Sequence, residues 1–148
     1  MIAIENCLPH KGSMLFLDRF LGHAPSQKKC QVEVIIQKEK RYLNKDGSFK
    51  THWLIEIMAQ AVAGHFHLIK ASGGKPKLGF LIGIQNYCLL ERIHLVLGDR
   101  LVVTSELVAE VFPLGQYEIE VLYQQRAIAK AEMSFVSDEQ GDFSCAKS

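Results

Sequence analysis

Glu56 and Gln60 lie one helical turn apart inside Thr51-His-Trp-Leu-Ile-Glu-Ile-Met-Ala-Gln-Ala-Val-Ala-Gly-His-Phe-His-Leu-Ile-Lys70, a stretch that is otherwise mostly apolar. With each residue turning the helix by about 100°, His52, Gln60, Ala63 and His67 all fall within about 40° of Glu56 around the axis. One narrow polar stripe therefore runs along a helix whose other sides are greasy. An ionised Glu is costly to bury alone, so Glu56 either meets a Lys or Arg from another element or keeps its proton, the state a general acid needs. Both outcomes are open from periodicity. His65 and His67 point roughly 200° apart on the same helix, so a shared metal is not expected. Cys7, Cys30, Cys88 and Cys145 form no C-x-x-C pair, which predicts free thiols and neither a metal site nor a disulfide framework.

The elements that must hold this stripe can be read around it. The helix is capped by Thr51 or Ser48 and stopped by Ser72-Gly73-Gly74 and Pro76. Its nearly encircling apolar surface predicts a central helix covered on most sides. Strands are predicted over Met14 to Leu21, Cys30 to Gln37, Leu78 to Ile84, Arg100 to Leu107, Tyr117 to Gln125 and Ala127 to Val136. The first two pair across a turn at Gly22 to Lys28, and the last two form a hairpin through Gln124 to Ala127 that no Gly marks. Six strands around one buried helix make an α+β domain. At 148 residues the chain is one domain's worth, residues 1–148, with 137–148 as a polar tail.

Composition excludes several classes. Apolar residues make up 48% and charged ones 22%, the balance of a globular domain and not of a disordered or fibrous chain. No apolar run approaches the roughly 20 residues of a membrane span, and the start Met-Ile-Ala-Ile-Glu-Asn does not look like a secretory signal, so a cytoplasmic protein is expected. A net charge of +1 argues against a nucleic-acid binder. The charge is uneven, however: residues 28–77 hold ten basic against four acidic residues, and an acidic partner would be steered there.

Leu8-Pro9-His10, Met14-Leu15-Phe16-Leu17-Asp18-Arg19 and, some 45 residues beyond Leu8, Leu54-Ile55-Glu56-Ile57-Met58-Ala59-Gln60-Ala61 resemble the motifs of the 3-hydroxyacyl-acyl-carrier-protein dehydratases. Gly79-Phe80-Leu81-Ile82-Gly83-Ile84 resembles the strand that follows the helix in that family. The resemblance implies the hotdog fold, a curled antiparallel sheet wrapped around one long central helix, and a homodimer with acyl tunnels at the subunit interface. It implies dehydration of a 3-hydroxyacyl thioester on acyl carrier protein to the trans-2-enoyl thioester, without cofactor or metal. Glu56 matches the helical acid, and Gln60 the Gln of the same motif, which would orient the substrate site. Backbone N–H groups at the start of the helix would polarise the thioester carbonyl.

One departure is informative. The family's G-H-F-P-G supplies the histidine that takes the C2 proton fourteen residues before the helical Glu, and here that position is Tyr42. The chain is most similar to a divergent branch resembling the aryl-polyene pathway dehydratases, which keeps the Pro-His and the helical Glu. If the reaction survives, His10 or His52 takes over as base, His being the side chain matched to neutral pH. The alternative makes His10 a structural loop residue and His52 a capping or surface residue. Trp53 is a core or interface aromatic, or lines the acyl tunnel. Lys28, Lys29, Lys38, Lys40 and Arg41 would meet the acidic carrier, or are simply solvated. Two other functions stay open: a thioesterase in which Glu56 activates water, and a non-catalytic acyl-binding subunit.

Overall fold

The computed structural model describes residues 3–24, 28–70 and 79–137. Two short 3-10 helices, Ile4–Asn6 and Gly12–Met14, precede β1 (Arg19–Ala24) and β2 (Lys29–Ile35). The helix α1 (Trp53–Lys70) follows, then β3 (Gly79–Leu89), β4 (Arg100–Val111), β5 (Leu114–Tyr123) and β6 (Arg126–Ser137). All six strands join one antiparallel sheet in the order β1-β2-β4-β5-β6-β3, curled around α1. This is the hotdog fold.

Alternation along the strands explains the curl's contents. Leu101, Val103, Ser105 and Leu107 of β4, Tyr117, Ile119 and Val121 of β5, and Ala129, Ala131, Met133 and Phe135 of β6 are buried on the inner face. They pack on Leu54, Ile57, Met58, Ala61, Val62 and Phe66 of α1. Of the expected stripe, Glu56, Ala63 and His67 are half-buried, whereas Gln60 is buried and His52 is exposed just before the helix. Gly79 is required where β3 begins, because a Cβ there would come within 2.2 Å of the Phe135 ring and 2.8 Å of the Phe66 ring.

Several boundaries differ from the sequence-based expectation, each for a local reason. The first strand begins at Arg19 and not at Met14, because the Phe16 N–H that a ladder would use donates instead to Gln60 Oε1 at 2.9 Å. The second ends at Ile35, since the next two N–H groups go to Asp99 O and to the Tyr42 hydroxyl. β3 runs on to Leu89 through irregularities at 81–83 and 85–88, with Asn86 at φ 54, a conformation Asn tolerates better than most residues. β4 and β5 extend to Val111 and back from Leu114, so that only Phe112-Pro113 turns the hairpin. The β5–β6 hairpin is present, with Gln124 and Gln125 at φ 51 and 65 where Asn-Gly would be usual. Ser48 is not a helix cap: its hydroxyl donates to Asp46 and accepts from the Asn44 side chain. The Ser72-Gly73-Gly74 stop and the polar tail beyond Ser137 lie outside the described residues.

Asp18 and Arg19 do not pair with each other. Asp18 accepts from the Ile35 N–H at 2.6 Å and from the Gln37 side chain, whereas Arg19 and Arg100 both reach Glu33, at 2.9 and 3.0 Å. Glu33 is buried, and the hydrogen bond from Arg19, together with the nearby Arg100 charge, holds its carboxyl below the usual carboxylate range. A depressed folded-state value means stabilisation present above the unfolded carboxylate range and lost as pH falls through the folded value. Glu33→Gln is therefore expected to cost about 1 kcal/mol near neutral pH, roughly 3 °C in Tm, because both arginines are largely exposed and can hydrate. Thermal melts from pH 7 down to pH 3 should show the gap to wild type closing.

Candidate active site

The start of α1 and the segment before β1 meet in an aromatic cluster. Phe16 lies 5.0 Å from Tyr42 and 5.4 Å, edge-on, from Trp53. Tyr42, which stands where the family's histidine would be, is fully buried; its hydroxyl donates to Ile35 O at 3.1 Å and accepts the Gln37 N–H at 2.9 Å. Burial pushes this phenol up to about 12. Tyr42 thus locks the segment after β2 and offers no proton acceptor to a substrate.

The packing of these segments delivers His10 to Glu56. The imidazole Nε2 lies 3.2 Å from Glu56 Oε1, and the two side chains are 27% and 32% exposed, enough to meet a bound molecule. Among the described residues Glu56 meets neither a lysine nor an arginine, the pairing left open by periodicity. Gln60 is 1% exposed and ties the pair together: its Oε1 accepts the Phe16 N–H at 2.9 Å, and its Nε2 donates to Met14 O at 2.7 Å and to Glu56 Oε1 at 3.2 Å. The amide expected to bind substrate is thus occupied by protein groups, and its contacts join the His10 segment to the helix.

His52 goes elsewhere. It precedes the first helical residue, is exposed, and lies tilted against the Trp53 ring at 5.3 Å. Trp53 itself is half-buried, and its Nε1 is buried with no hydrogen-bond partner among the described residues. A buried indole N–H left without an acceptor costs roughly 1–3 kcal/mol, which a ligand oxygen would relieve. The backbone N–H groups of Trp53 and Leu54 already donate to Lys50 O and Thr51 O at 3.0 Å, so neither is free for a thioester carbonyl.

The basic stretch separates into two groups. Lys40 Nζ donates to Gly12 O at 3.0 Å and the Arg41 N–H to Ser13 O at 3.1 Å, which sets Lys40 and Arg41 beside the segment carrying His10. Lys28 and Lys29 lie at the β1–β2 turn, where Lys29 borders an outer-face cleft of about 610 Å³ with Glu106, Glu118, Glu120 and Glu132. Cys7 and Cys30 are free and buried, and burial raises both thiols, Cys30 to about 12, which makes them inert. His65 is buried with Nδ1 2.6 Å from Ser105 Oγ, part of the core.

The Gln60 contacts predict a measurable stability effect. Gln60→Leu leaves the Phe16 N–H and Met14 carbonyl without their partners, at a cost of about 3 kcal/mol, or roughly 6–12 °C in Tm. A melt that moves less than about 2 °C would mean water replaces the amide.

Comparison with known proteins bears on the family and the fold. A family model described as the ApeP-like family, ApeP dehydratase, matches residues 2–144. Among solved structures, the dehydratase heterocomplex ApeI:P from Xenorhabdus doucetiae is similar with a TM-score of 0.80 at 19% identity, over 96% of this chain and 95% of that one. The PaaI protein of the E. coli phenylacetic acid degradation operon is similar at TM-score 0.58 and 17% identity, over 75% and 73%. A hypothetical thioesterase with coenzyme A from Streptococcus pneumoniae is similar at TM-score 0.63 and 15% identity, over 82% and 86%. No curated protein matches. With all but a few residues inside the family model, and a helical glutamate facing a Pro-His histidine in one hotdog domain, the chain belongs to the ApeP-like dehydratase family.

Proposed function

We propose that the protein dehydrates a 3-hydroxyacyl thioester held on acyl carrier protein to the trans-2-enoyl thioester, with His10 as base and Glu56 as acid. The observation that carries this reading is the 3.2 Å contact between His10 Nε2 and Glu56 Oε1 in a chain of a dehydratase family. His10 Nε2 takes the C2 proton, the C2–H electrons form the C2=C3 bond, and the C3–O bond breaks as Glu56 hands its proton to the departing hydroxyl. One water leaves and the thioester stays intact. Afterwards the proton on Nε2 returns to Glu56 across the same contact, which resets the site without a metal or cofactor. Two groups in contact approach the substrate from one side, so the elimination is syn.

Trp53 lines the acyl site, and its indole N–H donates to the thioester carbonyl, easing loss of the C2 proton. The acidic carrier docks on Lys38, Lys40 and Arg41, while Lys28 and Lys29 add to the field that steers it. A homodimer forms through β3. That edge strand has eleven residues and no charged side chain, and Phe80, Leu81, Ile82 and Ile84 are exposed by 36–57%, an edge that natural proteins otherwise blunt. The heterocomplex among the solved relatives makes a second hotdog chain the alternative occupant.

A second reading keeps the fold and has Glu56 direct water at the thioester carbonyl, as the thioesterase among the similar structures suggests. Mass analysis of a 3-hydroxyacyl carrier after incubation separates the two. The proposal predicts a carrier lighter by one water; release of free hydroxy acid selects the thioesterase, and an unchanged carrier leaves only an acyl-binding subunit.

A further inference from the structure

We infer that Tyr42 is a positioning residue for the acid: its phenol pins the segment entering α1 to the end of β2 and, through Phe16, sets where Trp53 and Glu56 stand. This role rests on the proposed dehydration, and Tyr42 serves it without touching substrate. The hydroxyl donates to Ile35 O at 3.1 Å and accepts the Gln37 N–H at 2.9 Å, so it closes the bend at which β2 ends. Burial keeps the phenol protonated through the neutral range, so both bonds persist there. Asp18 braces the same bend by accepting from the Ile35 N–H and the Gln37 side chain. From this anchor the backbone leads to the helix. Tyr42 O accepts the Lys50 N–H at 2.8 Å, a bridge between Leu43 and Phe49 closes the segment between them, and Lys50 O accepts the N–H of Trp53, the first residue of α1. A second route runs through rings. Tyr42 lies 5.0 Å from Phe16, a fully buried side chain that meets Trp53 edge-on and whose N–H fixes the Gln60 amide so that Nε2 faces Glu56 Oε1. Misplacing a reacting group by about 1 Å can cost about 10²-fold in rate, so a slack anchor shows in turnover before it shows in binding.

Tyr42→Phe tests this, because it removes the hydroxyl and keeps the ring. With a 3-hydroxyacyl carrier substrate it should lower kcat about 10-fold and leave KM within about 2-fold. Emission from Trp53, the chain's one tryptophan, should move to the red and become easier to quench with iodide. The same change made on Glu56→Gln should cost less than about 2-fold, because the group it places has gone. A merely structural tyrosine would instead repeat its loss in full on Glu56→Gln. That repetition, a kcat that stays at wild type, or unchanged Trp53 emission beside a lower kcat would each overturn the inference and leave the proposed reaction standing. Wild-type turnover by Glu56→Gln would remove the proposed reaction, and this role of Tyr42 with it. If Tyr42→Phe does not fold, Phe49→Leu loosens the same ring from its half-buried neighbour at 5.3 Å. Its expected loss in kcat is about 3-fold, again vanishing on Glu56→Gln, and a loss that persisted there, or no loss at all, would sink the assignment.

Discussion

Glu56→Gln should lower kcat for dehydration by about 10²–10⁴-fold, roughly 3–5 kcal/mol of barrier, while KM and Tm stay close to wild type. The substitution is chosen because an amide preserves the local geometry. Both contacts of the carboxyl group run to Oε1, and an amide carbonyl placed there can still accept from Gln60 Nε2 and from an Nε2–H of His10. What disappears is a proton that can be released to the leaving hydroxyl. A loss in kcat at constant KM marks an interaction made in the transition state and not in ground-state binding. Purified protein with a 3-hydroxyacyl carrier substrate, assayed over a range of concentrations, provides both constants.

His10→Gln should be nearly as severe, again by about 10²–10⁴-fold in kcat, for a different reason. Glutamine can keep a nitrogen donor near Glu56 Oε1, but an amide cannot take a proton from C2. His52→Ala is the contrast: an exposed ring lying on Trp53, away from the contacts that hold Glu56, should change kcat less than about 2-fold. If His52→Ala proved the damaging change and His10→Gln the silent one, the base would have to be reassigned.

The sequence carried the architecture further than it carried the site. The long apolar helix, six strands and their order follow from period-3.6 and period-2 patterns that the structure retains, because burial on one face enforces those periods. The Glu56–Gln60 stripe is legible for the same reason. The irregular segment 15–18 is not, since Phe16 looks like a strand residue until its N–H is seen to serve Gln60, 44 positions away. The extension of β3 past Ile84 hides behind Gln85 and Asn86, polar residues that read as a strand end but sit on an exposed edge where polar side chains cost nothing.

Loop residues show no periodicity, so only the resemblance could point to His10, and no spacing rule could choose between it and His52. Helical spacing placed His52 one turn from Glu56, yet the first helical residue is Trp53, and that single-residue difference leaves His52 outside on the surface. Glu33 gave no signal at all. Its partners Arg19 and Arg100 come from two other strands and meet only once the register of β1, β2 and β4 is set.

The decisive measurement is a double-mutant cycle on turnover, comparing wild type, Glu56→Gln, His10→Gln and the double variant with one carrier-bound substrate. Side chains that act as a unit lose their effect together, so the double variant should fall no more than a few-fold below the weaker single. If the two losses simply multiply, or if either variant turns over like wild type, the histidine and the glutamate are not working as a pair.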